Sequence, residues 1–328
     1  MHKLKPLSLV ITSTLLSAQV LATPVLYTND FEEIIGEQFT KDTGHALDVV
    51  KMSGGNLIAR IAAERSNPQW DMILFNGDST LLGLDKSGDL KQALNPAGLD
   101  NLTAQGNALL PDNQAYFPVS IASACVIVKR KDNPVEINGY SDLAQPALKG
   151  LVGMADPSIA APAYPCVAGL FHQLGEERAQ TLFTDMFQNQ LRIFRTNGPT
   201  GRALQSGEIE AALLTSQQAY TFVNQGADFE IIWPETGTPA TIRAAGIQAK
   251  TKHPEVTESF INWVLSAKGQ QFLIDNGDSD GIFRPTVVGA NEVTYGPGDD
   301  VKYNFTPVSY AFENDEKIKS WFADQAIY

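Results

Sequence analysis

The chain has 328 residues and a formal net charge of −13 at pH 7. This length exceeds the usual size of one hydrophobic core and predicts two domains. The negative charge makes nucleic acid and anionic membranes poor partners, but a small anion can still bind, because salt screens a distant field within about 10 Å.

Residues 1–22 have the pattern of a secretory signal peptide. Lys3 and Lys5 precede an apolar run at 7–18, and small residues suitable for cleavage precede Thr23. The run is shorter than the roughly 20 residues that a membrane-spanning helix needs, so export to the periplasm is expected. Without the two lysines, 22 basic and 37 acidic residues give the mature chain a net charge of −15.

Strands and helices alternate directly after the predicted cleavage site. Apolar runs predict strands at 24–28, 46–52 and 72–75, and helical periodicity predicts a helix after each of the first two. This order is typical of a βαβαβ unit, whose parallel strands end at one edge of the sheet. The polar residues expected to meet at that edge are Thr28, Asn29, Asp30, Ser53, Gly54, Gly55, Asn76, Gly77, Asp78 and Ser79.

The turn Ser53-Gly54-Gly55 begins the second predicted helix. Glycine lets backbone N–H groups approach a bound anion closely, and the helix dipole favours negative charge there. The alternative is that these residues only cap the helix, as Ser and Gly commonly do. If the turn binds a ligand, a bulky residue in place of Gly55 should weaken binding without unfolding the N-terminal lobe.

The rest of the chain predicts a second lobe of the same α/β construction. Its first strand is predicted at 121–128, with the crossover from the first sheet near Pro118 and a return strand at 242–249. Further strands are predicted at 151–155, 191–194, 211–214 and 229–233. The predicted lobes are 23–118 plus 238–285 and 119–237 plus 286–328.

Cys125 and Cys166 both fall in the predicted second lobe. In an exported chain they can form a disulfide, which would stabilise the fold by roughly 3 to 4 kcal/mol. Two buried free thiols are the alternative. No activating base stands beside either cysteine, so a catalytic role is not expected.

Several long segments carry a resemblance to a known family. They read GGNLIARIAAERSNPQWD, GMADPSIAAPAYPCVAGLFHQLGEE, SGEIEAALLTSQQAY, KHPEVTESFINWVLSAKGQQFL and FRPTV. With them the chain resembles the type II periplasmic substrate-binding proteins of ABC importers. The branch in question contains ferric-ion-binding proteins and relatives that bind hexose phosphates or aminoethylphosphonate. The resemblance implies two α/β lobes joined by crossing strands, closure over a ligand, delivery to a membrane permease, and no catalysis.

Two departures from the family pattern bear on the ligand. Ferric-binding relatives carry two adjacent tyrosines where this chain has Gln217 and Gln218, and Tyr220 is displaced. Relatives often carry Ser-Gly-Thr before the tyrosine that matches Tyr164, whereas this chain has Ala160-Ala161-Pro162. The further candidate ligand contacts are Ser158, Tyr164, Asn197, Gly198, Thr200, Gly201, Arg202, Ser216 and Gln217.

The predicted ligand is a small anionic organic solute, either a sugar phosphate or an aminophosphonate. Helix N-termini and Arg202 would bind the phosphate, and acids at the strand ends would accept hydrogen bonds from hydroxyls or pair with an amine. One alternative is ferric iron, and another is an organic cation such as a polyamine or thiamine between Tyr27, Tyr164 and Trp233. A remote alternative is a secreted enzyme on this scaffold, although G-x-S-x-G and H-E-x-x-H motifs are lacking. A monomer without cofactor or resident metal is expected.

Overall fold

The computed structural model describes residues 22–326, so the predicted signal peptide lies outside the described residues except for Ala22. The elements that build the first sheet and its helices come first in the chain. They are β1 Val25–Thr28, α1 Glu32–Thr43, β2 Asp48–Lys51, α2 Gly54–Glu64, β3 Met72–Asn76, α3 Asp78–Lys86, α4 Ala104–Ala108 and β4 Tyr116–Ser123. Over the described part of the chain, the helices are too short or too polar to cross a bilayer.

The middle of the chain forms the second sheet, and the chain then returns to the first. The elements are β5 Val126–Arg130, β6 Val152–Ala155, α5 Ala163–Leu174, α6 Glu176–Gln188, β7 Arg192–Phe194, α7 Asn197–Gln205, β8 Ala211–Leu214, α8 Ser216–Asn224, β9 Phe229–Ile232, β10 Thr238–Ile247, α9 Pro254–Val264, α10 Ala267–Asn276, β11 Arg284–Pro285, β12 Tyr303–Asn304, α11 Val308–Glu313 and α12 Asp315–Gln325.

The first sheet has the order β11-β4-β10-β3-β1-β2, and β12 pairs with β10. Its strands β2, β1 and β3 run parallel, which confirms the predicted βαβαβ unit. The helix after β1 ends where predicted, because Gly44 takes the left-handed conformation, with φ of 78°, that closes many helices. The carboxyl ends of these strands therefore share one edge of the sheet.

The second sheet has the order β7-β6-β8-β5-β9. The chain passes between the sheets twice, from β4 to β5 and from β9 to β10. The predicted two-lobe α/β fold with crossing strands is thereby confirmed.

The prediction of a single strand at 121–128 is wrong. Ile121 pairs with Ile242 and Ser123 with Ala240, so both belong to the first sheet, and the second sheet starts only at Val126. The break at Ala124 and Cys125 is invisible to apolar patterning, because the strands on both sides of it are buried. We propose a lobe boundary after Ser123 in place of Pro118.

The end of the chain divides between the lobes. Thr286 and Val287, predicted in the second lobe, lie with the first: Val287 packs in its core and Thr286 accepts a hydrogen bond from the backbone N–H of Thr103. Helices α11 and α12 pack on the second lobe through Ala311, Ile318 and Phe322. Helix α11 also contacts α3 of the first lobe, so this segment spans the gap between the lobes.

Cys125 and Cys166 form a disulfide that ties the start of β5 to α5. Of the two predicted alternatives, the disulfide is confirmed and the pair of free thiols is not. It closes a loop across 41 positions of the second lobe, which restricts the unfolded chain.

Candidate functional site

A cavity of about 410 Å³ lies between the two lobes. The first lobe contributes the starts of α2 and α3, and the second contributes the loop before α5 together with α11 and α12. This volume falls within the 300 to 1,000 Å³ that is typical of organic-ligand pockets. The sequence-predicted candidates that line the cavity are Gly54, Gly55, Gly77, Ser79, Ser158 and Tyr164.

The start of α2 carries backbone donors toward this cavity. The first hydrogen bond of the helix runs from the N–H of Leu57 to the carbonyl of Ser53, so the three preceding N–H groups have no partner within the helix. The Ser53 side chain is exposed and makes no capping hydrogen bond. Ser53 therefore occupies the N-cap position without a side-chain cap, and a ligand at this helix start stays a prediction.

Glycine at position 54 permits the second lobe to approach. A Cβ built on Gly54 would clash with the Cβ of Ala161 and would lie 3.1 Å from Cζ of Phe75. At Gly55 the nearest atom to such a Cβ would be the carbonyl oxygen of Ile159 at 3.8 Å, which is ordinary contact. Of the two glycines predicted to allow close approach, Gly54 is the one that contact between the lobes requires, and the approach of a ligand to either stays a prediction.

Asp78 occupies the first position of α3. Burial away from water raises the pKa of its carboxyl to about 7, although the neighbouring backbone N–H groups of Ser79 and of Asp78 itself act to lower it. Asp78 therefore occupies the positive end of its own helix and does not line the cavity.

We expect the Asp78→Asn variant to be less sensitive to pH than the wild type. A carboxyl with a raised pKa holds its proton longer in the folded state, so the free energy of unfolding falls as the pH rises from about 4 to 7. Asparagine keeps an acceptor but cannot ionise. The free energy of unfolding of the variant, relative to that of wild type, should therefore rise by on the order of 2 kcal/mol between pH 5 and pH 8. Urea unfolding at both pH values measures this, and parallel pH profiles would contradict it.

A buried polar cluster lies beside the cavity, at the carboxyl ends of β1 and β3. The Asp30 carboxylate pairs with Arg243 on β10, with 2.7 Å between Nη2 and Oδ2, and the Arg243 side chain also donates to Ser120 Oγ at 2.8 Å. Asn76 accepts a hydrogen bond from the Thr241 hydroxyl at 2.7 Å. Arg243 is 1% exposed. Arg243 is not among the candidates predicted from the sequence, although it is a single charge inside an apolar strand.

Hydrogen bonds also join the two lobes close to this polar cluster. Gln217 on α8 donates to the backbone oxygen of Asp280 at 3.3 Å, and Ser216 Oγ accepts from the N–H of Ser123 at 3.0 Å. Burial, followed by the charge of Asp30, raises the pKa of the Asp280 carboxyl to about 6. Ser216 and Gln217 therefore serve contact between the lobes in this arrangement.

Two further candidates have structural roles in the turn after β1. The Thr28 hydroxyl donates to the carbonyl of Asp30 and accepts from its N–H, and Asn29 accepts from the N–H of Asn76 at 3.1 Å. These bonds fix the turn that presents Asp30 to Arg243.

The first turn of α7 lies away from the cavity. Gly201 packs against the Phe222 ring, Thr200 is fully buried, and Arg202 is exposed. Arg202 does not line the cavity, and its contact with a phosphate stays a prediction. The candidates that do not line the cavity for this reason are Asn197, Gly198, Thr200, Gly201 and Arg202.

The three aromatic residues considered for an organic cation do not share a site. Tyr27 is buried in the first lobe beneath Arg60, and Trp233 packs on Tyr303 and donates to the Tyr220 hydroxyl. Only Tyr164 of the three lines the cavity. The aromatic cage predicted as an alternative is therefore wrong.

The amino-acid sequence is similar to a protein family and to named relatives in other bacteria. A family model described as bacterial extracellular solute-binding protein matches residues 27–277, which is more than half of the chain. A Salmonella typhi protein, provisionally named a 2-aminoethylphosphonate-binding periplasmic protein, is 23% identical over 74% of this chain and 71% of its own length. A Serratia marcescens protein named an Fe(3+)-binding periplasmic protein is 22% identical over 77% of this chain and 76% of its own.

Solved structures share the fold at low sequence identity. AfuA from Actinobacillus pleuropneumoniae, solved with exogenous fructose-6-phosphate bound, aligns with a TM-score of 0.83 at 18% identity and covers 93% of this chain and 98% of its own. Iron-bound HitA from Pseudomonas aeruginosa aligns with a TM-score of 0.77 at 19% identity over 93% and 99% of the two chains.

Proposed function

The chain belongs to the family of bacterial extracellular solute-binding proteins, and from this premise we propose that it captures a small phosphorylated organic solute for import. The family consists of substrate-binding proteins that work with an ABC permease. In this proposal the protein acts in the periplasm as a monomer, binds between its lobes and releases the solute unchanged to the permease.

The observation that carries the proposal is the cavity at the uncapped start of α2. Its volume of about 410 Å³ is many times the roughly 30 Å³ that one water occupies in the liquid, so it suits an organic molecule better than a single ion. The N–H groups of Gly54, Gly55 and Asn56, which have no partner within the helix, supply donors for a phosphate or phosphonate. The names of AfuA's bound sugar phosphate and of the Salmonella relative agree with this chemistry.

The charges at the cavity are compatible with an anion. Arg65, Lys319 and Asp315 are the charged residues of the lining, and each cation has an acidic partner, Asp89 for Arg65 and Asp315 for Lys319. The cavity is therefore close to neutral in a chain with a net charge of −13, and salt screens the negative charges on the rest of the surface.

Closure follows from the way both lobes share the cavity. A ligand that contacts α2 of the first lobe and the loop before α5 of the second has most of its contacts when the lobes are together. It therefore shifts an equilibrium between open and closed forms toward the closed one, which is the form we propose the permease recognises.

Ferric iron is the second candidate, since the Serratia relative and HitA are named for it. The buried carboxylates of Asp30 and Asp280 would be its oxygen ligands. Against it, Arg243 already neutralises Asp30, and no cluster of three His, Cys, Asp or Glu residues suited to a metal is found within residues 22–326.

Thermal unfolding with a ligand panel tests the proposal. We expect glucose 6-phosphate, fructose 6-phosphate or 2-aminoethylphosphonate to raise the melting temperature by several degrees, because ligand at a hundred times its Kd adds about 2.7 kcal/mol. Spermidine, thiamine and ferric citrate are the matched alternatives. A shift with ferric citrate or the cations only would overturn the proposal, and release of inorganic phosphate from a bound compound would reveal an enzyme.

A further inference from the structure

The C-terminal helix α12 places one cation in the wall of the cavity. The Lys319 ammonium lies 2.7 Å from Asp315 Oδ1 and 4.6 Å from the centre of the Tyr164 ring. All three residues line the cavity. The Tyr164 hydroxyl donates to the backbone oxygen of Ala311 at 2.5 Å, so the ring that supports the ammonium is itself fixed to α11.

Lys319 differs from the other cation of the lining in the position of its partner. Arg65 pairs at 3.2 Å with Asp89, which does not line the cavity, and the Arg65 side chain is 54% exposed. The partner of Lys319 lines the same cavity, and the side chains of Lys319 and Asp315 are 31% and 39% exposed. A partly exposed pair of this kind is weak, so an incoming anion can replace the carboxylate at little cost.

The second lobe supplies this cation, because α12 packs on that lobe through Ile318 and Phe322. The first lobe supplies the start of α2. An anion that contacts both would therefore connect the lobes. Phe312 on α11 lies against Gly83 of α3, 3.0 Å from where a Cβ would stand, so the helices already reach across the gap.

We propose that Lys319 is a specificity-determining contact for anionic solutes and that Asp315 competes with the solute for its ammonium. This inference rests on the proposed function and adds a role for the C-terminal helices in it. It requires opposite effects from the two partners: loss of Lys319 weakens anion binding, and loss of the Asp315 charge strengthens it. A purely structural ion pair would give effects of the same sign.

Calorimetric titration of the full chain with fructose 6-phosphate and 2-aminoethylphosphonate tests this inference. We expect Lys319→Met to raise the Kd of a bound probe at least 10-fold, Lys319→Arg to restore most of the affinity, and Asp315→Asn to lower the Kd about 3-fold. Lys317→Met is the matched control on the same helix, because Lys317 pairs with Glu176 and does not line the cavity. All four variants should melt within about 2 °C of wild type, since the pairs are partly exposed.

The outcomes separate the two proposals. Wild-type binding that Lys319→Met leaves unchanged, or that Asp315→Asn weakens, overturns the role of Lys319 and leaves the proposed function intact. Wild-type protein that binds neither these two probes nor glucose 6-phosphate overturns both.

Discussion

The Gly54→Val variant is expected to bind its solute at least 100-fold more weakly than wild type while its first lobe stays folded. A side chain at this position meets Ala161 of the opposite lobe, so the lobes cannot come together over a ligand. Gly54 lies in a helix without a left-handed backbone, so valine adds no backbone strain there. The Phe75 ring of the same lobe lies 3.1 Å from that Cβ and must shift slightly, whereas the Cβ of Ala161 is in direct clash, so the substitution acts mainly on closure of the lobes.

Alanine at two adjacent positions gives the matched comparison. Gly54→Ala and Gly55→Ala make the same change on the same helix, but only the Cβ at position 54 would clash with the second lobe, whereas the one at position 55 is in ordinary contact with it. We expect Gly54→Ala to lose at least 10-fold in affinity and Gly55→Ala to stay within about 2-fold. Affinity is measured by calorimetry, with the panel compound that raises the melting temperature of wild type most. Small-angle scattering without ligand should show a larger radius of gyration for Gly54→Val than for wild type. Equal affinities for the two alanine variants would place the binding site elsewhere.

The Arg243→Met variant is expected to lose about 3 to 5 kcal/mol of unfolding free energy. The guanidinium is buried, pairs with Asp30 and lies over the Phe31 ring at 4.5 Å. Methionine fills much of the space but leaves the Asp30 carboxylate without a cation in a site that excludes water. Urea unfolding followed by tryptophan fluorescence measures the loss.

A double variant separates the loss of charge pairing from the loss of packing. Asp30→Asn with Arg243→Met removes both charges, so it should recover a substantial part of the stability that Arg243→Met alone loses. A double variant no more stable than the single one would show that packing of the Arg243 stem dominates.

The loss in Arg243→Met should also grow with pH. Arg243 lowers the pKa of the Asp280 carboxyl, which burial and Asp30 raise to about 6, so its removal raises that pKa further. A raised folded-state pKa destabilises the fold increasingly from about pH 4 upward until that pKa is passed. The deficit relative to wild type should thus be larger at pH 8 than at pH 5, and a deficit independent of pH would contradict this account.

Local patterns of apolar residues and of glycine predicted most of the strands and helices. The buried runs at 72–75 and 211–214 match β3 and β8, and Gly44 marks the end of α1, because each signal is local. The break between β4 and β5 was not predicted, because Ile121 to Ser123 and Val126 to Val128 are equally buried although they pair in different sheets.

The amino-acid sequence by itself determined that parallel strands would bring polar turns to one edge, and that a helix would begin at the Ser53-Gly54-Gly55 turn. Only the tertiary structure decided which turns share a cavity. In it the first turn of α7 does not line the cavity, Arg243 pairs with Asp30, and Lys319 lies beside Tyr164. The physical reason is range. Helix starts and strand ends depend on residues a few positions apart, whereas Asp30 and Arg243 meet only when β10 joins the first sheet, and Tyr164 and Lys319 only when α12 packs on the second lobe.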